Sequence, residues 1–237
     1  MSTVDSVERV KKLSTPDELE LYYYVTTNSR NVADEVLSLI LNSPVDKGGV
    51  VFVEGPLSSG KTIVATMIAK KLASKRKLQC CQPDVKNRTD IVDDKLYSRS
   101  GVSYPSILFS TKKDIELFFH NNDVVIIDEI HLIPTDLQSY FIKEMKQFIS
   151  RGGWCLLFSI LYNSQGDAFV FVELCQLLST KVYRLRATCL QCGSPTAYIG
   201  QRLINGKPTT IDDPEYLAPS DKVVYEPRCS DCFVYGR

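Results

Sequence analysis

Apolar residues form short continuous runs that alternate with helically spaced sets from residue 49 to residue 187. The runs are rich in Val, Ile, Leu and Phe, and they predict buried strands at 50–54, 78–81, 106–109, 123–128, 154–160 and 181–185. The helically spaced sets between them predict helices at 62–74, 112–119, 137–150 and 169–178. Strands that alternate with helices in this way predict an α/β fold, with a central parallel sheet that helices cover on both faces.

The two ends of the chain follow different patterns. Before residue 49, apolar positions at helical spacing predict one amphipathic helix at 31–42, followed by a turn or linker at 43–49. After residue 188 the regular pattern stops, and Cys, Pro, Gly and Asp become frequent. We therefore expect an N-terminal extension at 1–48, an α/β domain at 49–187 and a small C-terminal domain at 188–237.

Charge and the absence of long apolar stretches narrow the class of protein. The chain has 237 residues, with 28 Lys and Arg against 28 Asp and Glu, so its formal net charge is zero. Zero net charge disfavours a protein that coats nucleic acid or an anionic membrane. The longest apolar stretch, 154–162, is too short to span a bilayer, and the N-terminus lacks the apolar core of a signal peptide. We expect a soluble cytoplasmic protein without a membrane or nucleic-acid partner.

The segment after the first predicted strand matches the phosphate-binding pattern GxxxxGK[ST] at every required position. Its residues are Gly55, Pro56, Leu57, Ser58, Ser59, Gly60, Lys61 and Thr62. The glycines let backbone N–H groups converge on phosphate oxygens, and the N-terminus of the following helix adds partial positive charge. Lys61 is expected to contact the β- and γ-phosphates, and the Thr62 hydroxyl to bind Mg²⁺. The motif predicts a site for a nucleoside triphosphate.

An acidic pair closes the strand predicted at 123–128. The apolar run ends in Asp128 and Glu129, at the carboxyl edge of the sheet where the phosphate-binding loop is also expected. We expect Asp128 to hold Mg²⁺ and Glu129 to act as a general base on an attacking hydroxyl or water. These residues leave open whether that base serves ATP hydrolysis or phosphoryl transfer to another substrate.

Four of the eight cysteines form two CxxC pairs, Cys189 with Cys192 and Cys229 with Cys232. Two such pairs supply the four thiolates of a structural, tetrahedral Zn²⁺ site, and disulfides in an oxidising compartment are the alternative. The 36 residues between the pairs, 193–228, are expected to form a large loop that is clamped at both ends. The other four cysteines are expected to be buried thiols.

Taken in order, these motifs resemble the zinc-containing type II thymidine kinases over residues 49–233. The loop GPLSSGKT is similar to the GPMFSGKT of that family, and Ser98-Arg-Ser-Gly101 looks like its S-H-N-G element. The resemblance implies a RecA-like P-loop domain with a central parallel sheet, followed by a small zinc-binding lasso domain. It also implies ATP with Mg²⁺ as phosphate donor, a structural Zn²⁺ and a homo-oligomer, either a tetramer or a dimer.

The same resemblance implies roles for individual residues. Glu129 matches the base that deprotonates the nucleoside 5′-hydroxyl, and Arg88 stands where the family has a phosphate-contacting arginine that acts with Lys61. Tyr225, four residues before Cys229, matches a tyrosine that contacts the nucleoside base. The positions expected to line the nucleoside site are Leu57, Leu132, Leu161, Phe169 and Tyr225.

Two aromatic positions of the family pattern are replaced in this chain. Leu132 stands where the family usually has Phe, and Ser164 replaces the first Phe of L-D-x-x-F-x-x-x-x-F. Losing two aromatics from a nucleoside site weakens packing by about 1–3 kcal/mol or admits a different base. We expect a deoxynucleoside kinase that converts thymidine to dTMP, and the departures concern the acceptor base rather than the phosphate chemistry.

Two other functions stay open from the residues alone. Asp128-Glu-Ile-His131 also spells the DExH sequence of helicases, which favours a nucleic-acid-stimulated ATPase with a zinc ribbon. Against it, such helicases need two RecA-like domains, and the chain lacks the basic surplus of a nucleic-acid stripe. The replaced aromatics are also compatible with a weakened kinase homologue whose role is assembly.

Overall fold

A computed structural model of the chain describes residues 16–85, 94–98, 100–214 and 220–235, with side chains described from residue 28 onward. The helices are α1 (Pro16–Asn42), α2 (Lys61–Leu72), α3 (Lys112–His120), α4 (Thr135–Ser150) and α5 (Val170–Leu177). The strands are β1 (Gly49–Glu54), β2 (Leu78–Pro83), β3 (Lys95–Tyr97), β4 (Ser103–Pro105), β5 (Ile107–Phe109), β6 (Val124–Ile127), β7 (Trp154–Ser159), β8 (Lys181–Arg184), β9 (Ile199–Ile204), β10 (Lys207–Pro208) and β11 (Val223–Arg228). A short 3₁₀ turn covers Ile130–Leu132.

A six-stranded sheet forms the centre of the molecule, in the order β5-β2-β6-β7-β1-β8. Each neighbouring pair is parallel, so the carboxyl ends of these strands share one edge of the sheet. One strand, β7, separates β1 from β6, so the residues that follow these two strands start about 10 Å apart, twice the usual strand spacing. The predicted RecA-like α/β fold with a central parallel sheet is confirmed.

Helices cover both faces of this sheet, because alternate residues of each strand point to opposite sides. In β1, Val51 and Val53 join the apolar cluster under α1 and α2, whereas Phe52 joins the cluster under α3, α4 and α5. All three side chains have no exposed surface. Burial on both faces fixes the strand ends and the loops that leave them.

The cysteines outside the two CxxC pairs belong to this core. Cys80, Cys81, Cys155 and Cys175 are completely buried free thiols, as predicted. Burial raises the pKa of the Cys175 thiol to about 12 and that of the other three further. These thiols are therefore protonated packing residues.

The C-terminal part contains an antiparallel sheet in the order β10-β9-β11. The prediction of a large loop across 193–228 is therefore wrong for 199–208 and 223–228. The sequence of β9 does not show the usual strand pattern, because Gln201 and Arg202 are both buried although both are polar. Buried polar residues break the alternation by which a strand is normally identified.

Two other elements differ from the sequence prediction. The first helix begins at Pro16 instead of residue 31, in a stretch whose polar and tyrosine residues show no clear helical period. The strands β3 and β4 form an unpredicted hairpin of three residues each, which is too short for an alternation signal. Among the described residues, no helix has the length and apolar character needed to cross a membrane.

Candidate active site

The phosphate-binding loop connects β1 to α2 at the carboxyl edge of the sheet. Gly60, the residue before α2, has a φ of 92°, a left-handed conformation that glycine adopts without strain. Gly55 is required for a different reason, since an added Cβ would lie 2.4 Å from Ser59 Oγ. The loop therefore closes tightly on the N-terminus of α2, where backbone N–H groups and the helix dipole favour an anion.

The side-chain ammonium group of Lys61 lies inside this loop. The Lys61 side chain is buried, and its Nζ donates hydrogen bonds to the carbonyl oxygens of Gly55 (2.8 Å) and Pro56 (2.9 Å). At the centre of the loop Leu57 is half-buried and Ser58 is exposed. The ammonium group is thus held where the loop surrounds it, next to backbone that is shaped for phosphate.

The first residues of α2 meet the acidic pair that follows β6. The Thr62 hydroxyl donates a 2.7 Å hydrogen bond to Asp128 Oδ2, across 66 residues of sequence. Burial, and next the charge of Glu129, raise the pKa of Asp128 to about 6, against the lowering effect of Thr62 and Lys61. A hydroxyl and a carboxylate side by side are the hard oxygen ligands that Mg²⁺ prefers, so the two residues fit the predicted magnesium site.

Glu129 occupies a strained position directly after Asp128. Its φ of 59° and ψ of 43° are left-handed, which costs a residue other than glycine about 1–3 kcal/mol and is typical of functional sites. Its carboxylate Oε2 lies 3.4 Å from His131 Nδ1, and that nitrogen lies 3.3 Å from Ser159 Oγ. The two carboxylates therefore have different neighbours: Asp128 contacts Thr62 after the loop, and Glu129 contacts His131.

The segment between β7 and α5 brings two predicted substrate residues to the same place. The Phe169 N–H donates to the Leu161 carbonyl oxygen at 3.0 Å, and the Phe169 ring lies 5.3 Å from the His131 ring. Leu132 is half-buried in the 3₁₀ turn beside His131. His131 therefore contacts the Glu129 carboxylate on one side and the Phe169 ring on the other, which brings apolar side chains near that carboxylate. This arrangement is suited to an acceptor with an apolar body and a reactive hydroxyl.

A cavity of about 150 Å³ lies beside the phosphate-binding loop. It is lined by Glu54, Gly55, Leu161, Tyr162, Arg184, Arg186 and Tyr198. The lining joins the end of β1 to the C-terminal part, and the rings of Tyr162 and Tyr198 touch edge to face with centroids 5.8 Å apart. The two parts of the molecule thus meet beside the first glycine of the phosphate-binding loop.

The four cysteines of the CxxC pairs come together in the C-terminal part. Their Sγ atoms all lie within 4.8 Å of one another, with Cys192 and Cys229 at 3.6 Å, and none forms a disulfide. A tetrahedral zinc with Zn–S bonds of about 2.3 Å places its sulfurs ~3.8 Å apart, so donor set and spacing fit Zn²⁺. Burial raises the pKa of Cys189, but backbone N–H groups donating to its sulfur outweigh this and lower it to about 6.

Two predicted site residues are not tested by this geometry. Arg88 lies outside the described residues. Tyr225 is half-buried in β11, where it pairs across the strand with Arg202 of β9. Its contact with a nucleoside stays a prediction.

The structure adds polar residues that sequence reasoning missed. Glu54, at the end of β1, is buried and bonded to Arg184 Nε (2.9 Å) and Gln176 Nε2 (3.1 Å). Ser159, at the end of β7, contacts His131. Each ends a strand of the sheet, and a polar residue at the end of an apolar strand is the signal by which both are found.

Comparison with known proteins agrees with this geometry. The family model described as Thymidine kinase matches residues 48–233, which is most of the chain. The chain belongs to the thymidine kinase family. It is therefore an enzyme, a nucleotide-binding kinase, and the resemblance seen in its motifs is confirmed.

Individual relatives also match most of the chain. Two proteins named thymidine kinase, from Halobacterium salinarum strains R1 and NRC-1, are each 28% identical to this chain over 206 residues. Each match covers 83% of this chain and the whole of the relative. Among solved structures, the Pif1 helicase from Candida albicans matches with a TM-score of 0.43 and 14% identity, over 65% of this chain and 39% of the helicase.

Proposed function

We propose that this thymidine kinase family member transfers the γ-phosphate of ATP to the 5′-hydroxyl of thymidine and releases dTMP. The observation that carries the proposal is the grouping of Lys61, Thr62, Asp128 and Glu129 at one sheet edge. Membership of the family supports the acceptor class, and the apolar residues near His131 support an acceptor with a flat apolar body.

On the donor side, the chain binds and neutralises phosphate. The backbone of the loop and the N-terminus of α2 hold the phosphate oxygens, and Lys61 exchanges its bonds to the Gly55 and Pro56 carbonyls for bonds to phosphate. Thr62 and Asp128 would hold Mg²⁺, which would neutralise charge on the phosphates. Arg88 supplies a second cation, as the family resemblance implies.

On the acceptor side, Glu129 takes the proton of the attacking hydroxyl. Its carboxylate lies 3.4 Å from His131 Nδ1, and His131, itself in contact with Ser159, holds it in place. A general base fixed in this way contributes about 10²–10⁴-fold to rate. Leu57, Leu132, Leu161, Phe169 and Tyr225 line the nucleoside site in this proposal.

The C-terminal part closes the acceptor side. We propose that Cys189, Cys192, Cys229 and Cys232 bind a structural Zn²⁺, because four sulfurs within 4.8 Å leave no position for a reactant. The division of the chain at residues 48 and 187, the tetramer or dimer, and the cytoplasmic location stay predictions.

A nucleoside panel with labelled ATP tests the function directly. We expect thymidine to give labelled monophosphate and ADP in equal amounts, with deoxyuridine weaker and deoxycytidine and the purines weakest. Lys61→Ala removes the cation inside the loop and is expected to lower turnover about 10²–10³-fold, while Lys70→Ala, an exposed lysine on the same helix, leaves it unchanged.

Two outcomes would replace the proposal with the alternatives. ATP turnover that rises with single-stranded nucleic acid and ignores every nucleoside identifies a nucleic-acid-stimulated ATPase. Binding of a non-hydrolysable ATP analogue without phosphorylation of any nucleoside identifies a weakened homologue.

A further inference from the structure

Helix α1 lies outside the residues that match the family, yet it is packed into the core. The family model begins at residue 48, whereas α1 ends at Asn42. Ala33, Val36 and Ile40 of α1 are completely buried in the same apolar cluster as α2 and β1. The helix is therefore part of the layer that supports the phosphate-binding loop.

Polar contacts at residues 34 and 35 hold α1 against its neighbours. Asp34 Oδ1 accepts a 2.6 Å hydrogen bond from Lys71 Nζ of α2 at the surface. The Tyr183 hydroxyl of β8 bonds to the Glu35 carboxylate, and burial followed by the charge of Glu35 raises the pKa of Tyr183 to about 12. The helix thus contacts both the helix after the loop and the strand beside β1.

One contact reaches the loop itself. Ser29 is completely buried, and its Oγ lies 3.4 Å from the carbonyl oxygen of Gly60. That carbonyl also accepts the first helical bond of α2, from the Val64 N–H at 3.0 Å. Gly60 is the left-handed residue that turns the chain into Lys61. A second donor on its carbonyl restrains the peptide between Gly60 and Lys61, whose N–H belongs to the loop proposed to bind phosphate.

We propose that Ser29 is a positioning residue of the nucleotide site, and that nucleotide binding and docking of α1 are energetically coupled. The inference rests on the proposed binding of nucleotide at the loop, and it assigns to α1 a role that residues 48–233 do not contain. Coupling is reciprocal, so a docked α1 tightens nucleotide binding by the same factor by which nucleotide stabilises the docked helix.

The test measures binding and helix docking in the full chain, with the magnesium complex of the non-hydrolysable analogue AMP-PNP. Ser29→Ala removes the hydroxyl and is expected to raise the Kd of AMP-PNP by about two- to tenfold, the loss of one modest hydrogen bond. Ser29→Cys keeps the volume but donates weakly, so it is expected to fall between wild type and Ser29→Ala. Ser38→Ala, at an exposed position of the same helix, is the matched control.

Hydrogen exchange separates positioning from simple stability. In wild type, AMP-PNP is expected to slow exchange of the amides at 28–42, and in Ser29→Ala this slowing is expected to shrink by the same factor as the affinity. The KM for thymidine should not change, because the contact lies on the donor side.

The outcomes distinguish this inference from the proposed function. If wild type and Ser29→Ala bind AMP-PNP equally, and nucleotide leaves exchange at 28–42 unchanged, the coupling is overturned while the kinase proposal stands. If wild type binds no AMP-PNP, both fall together. A chain that binds AMP-PNP with the expected coupling but phosphorylates no nucleoside supports the inference and overturns the function.

Discussion

The central sheet and the C-terminal part of this molecule are held together by different means. The parallel sheet has two large apolar clusters, one on each face. The C-terminal part has only a small buried cluster among its described residues, formed by Ala187, Cys189, Ala197 and Cys229. So few small apolar side chains do not offset the conformational entropy of ordering the chain, whereas four sulfurs on the proposed Zn²⁺ would.

This difference separates the two halves of the proposed reaction. The phosphate site depends on strand ends that a large core keeps fixed, so it should bind nucleotide whether or not zinc is present. The proposed acceptor site depends on the part that the proposed Zn²⁺ would hold, so it should fail first when the metal is removed. Each prediction below tests one side of this comparison.

Loss of a zinc ligand should have the largest effect. Cys229→Ser removes one sulfur of the four and with it much of the apparent 10–16 kcal/mol of zinc binding, which is enough to unfold the small sheet of β9, β10 and β11. We expect zinc content and thymidine phosphorylation to be lost, while AMP-PNP binding and helical circular dichroism persist. Ser230→Ala, at a position between Cys229 and Cys232, is the control. Loss of AMP-PNP binding together with zinc would contradict the separation.

Glu129→Gln tests the proposed general base between the phosphate site and the acceptor site. The amide keeps the shape of the side chain but accepts no proton, so kcat should fall about 10²–10⁴-fold with little change in zinc content or AMP-PNP affinity. Glu116→Gln, an exposed position on α3, serves as the matched control. A kcat within a few-fold of wild type would remove Glu129 from its proposed role.

The pH dependence of stability tests the phosphate end alone. The pKa of Asp128 is raised to about 6 in the folded protein, mainly by burial, from an ordinary value of 3.8. The folded state therefore binds this proton more tightly, so its contribution to stability is complete below pH 3.8 and is lost as pH rises through 6.

Asp128→Asn removes that contribution. Without added Mg²⁺, the free energy of unfolding of the variant relative to wild type should rise by about 1–3 kcal/mol between about pH 4 and about pH 7.5. Urea titrations of both proteins, with zinc present, measure the difference. Parallel pH profiles would show that the carboxylate does not carry this proton.

The smallest expected effect is confined to the supporting core. The Thr111 hydroxyl accepts a hydrogen bond from the Asp114 N–H, and the Asp114 carboxylate accepts one from the Thr111 N–H, which together cap α3. Thr111→Ala should cost about 1 kcal/mol of stability and leave kinetics and zinc content unchanged. Thermal unfolding of Thr111→Ala, with Ser110→Ala as the control, measures this loss of stability. A change in KM would show that the sheet core and the active site are not independent.

The same comparison explains what the sequence could predict. Val124–Ile127 is apolar throughout and the run at 154–160 is apolar except for Ser159, so burial, strand type and parallel pairing follow from composition alone. The GxxxxGK[ST] spacing likewise defines the loop because its chemistry depends on backbone N–H groups and two glycines. These features are local in sequence, and local patterns survive folding.

What could not be predicted depends on residues that are distant in sequence. Nothing near Arg202 indicates that it is buried, since its surroundings come from other strands. The contact of Ser29 with Gly60 joins residues 31 apart, and no periodicity before residue 31 marks that face of α1. Side-chain contacts across such separations follow from tertiary packing, which a single sequence does not display.

The short peptide after β8 ties the two halves into one mechanical unit. The Leu185 N–H donates a 2.8 Å bond to the Glu54 carbonyl, and its Cβ lies 3.0 Å from where a Cβ on Gly55 would stand. Four residues later the chain reaches Cys189. A displacement of the four-cysteine cluster is therefore transmitted through residues 185–189 to the first glycine of the phosphate-binding loop.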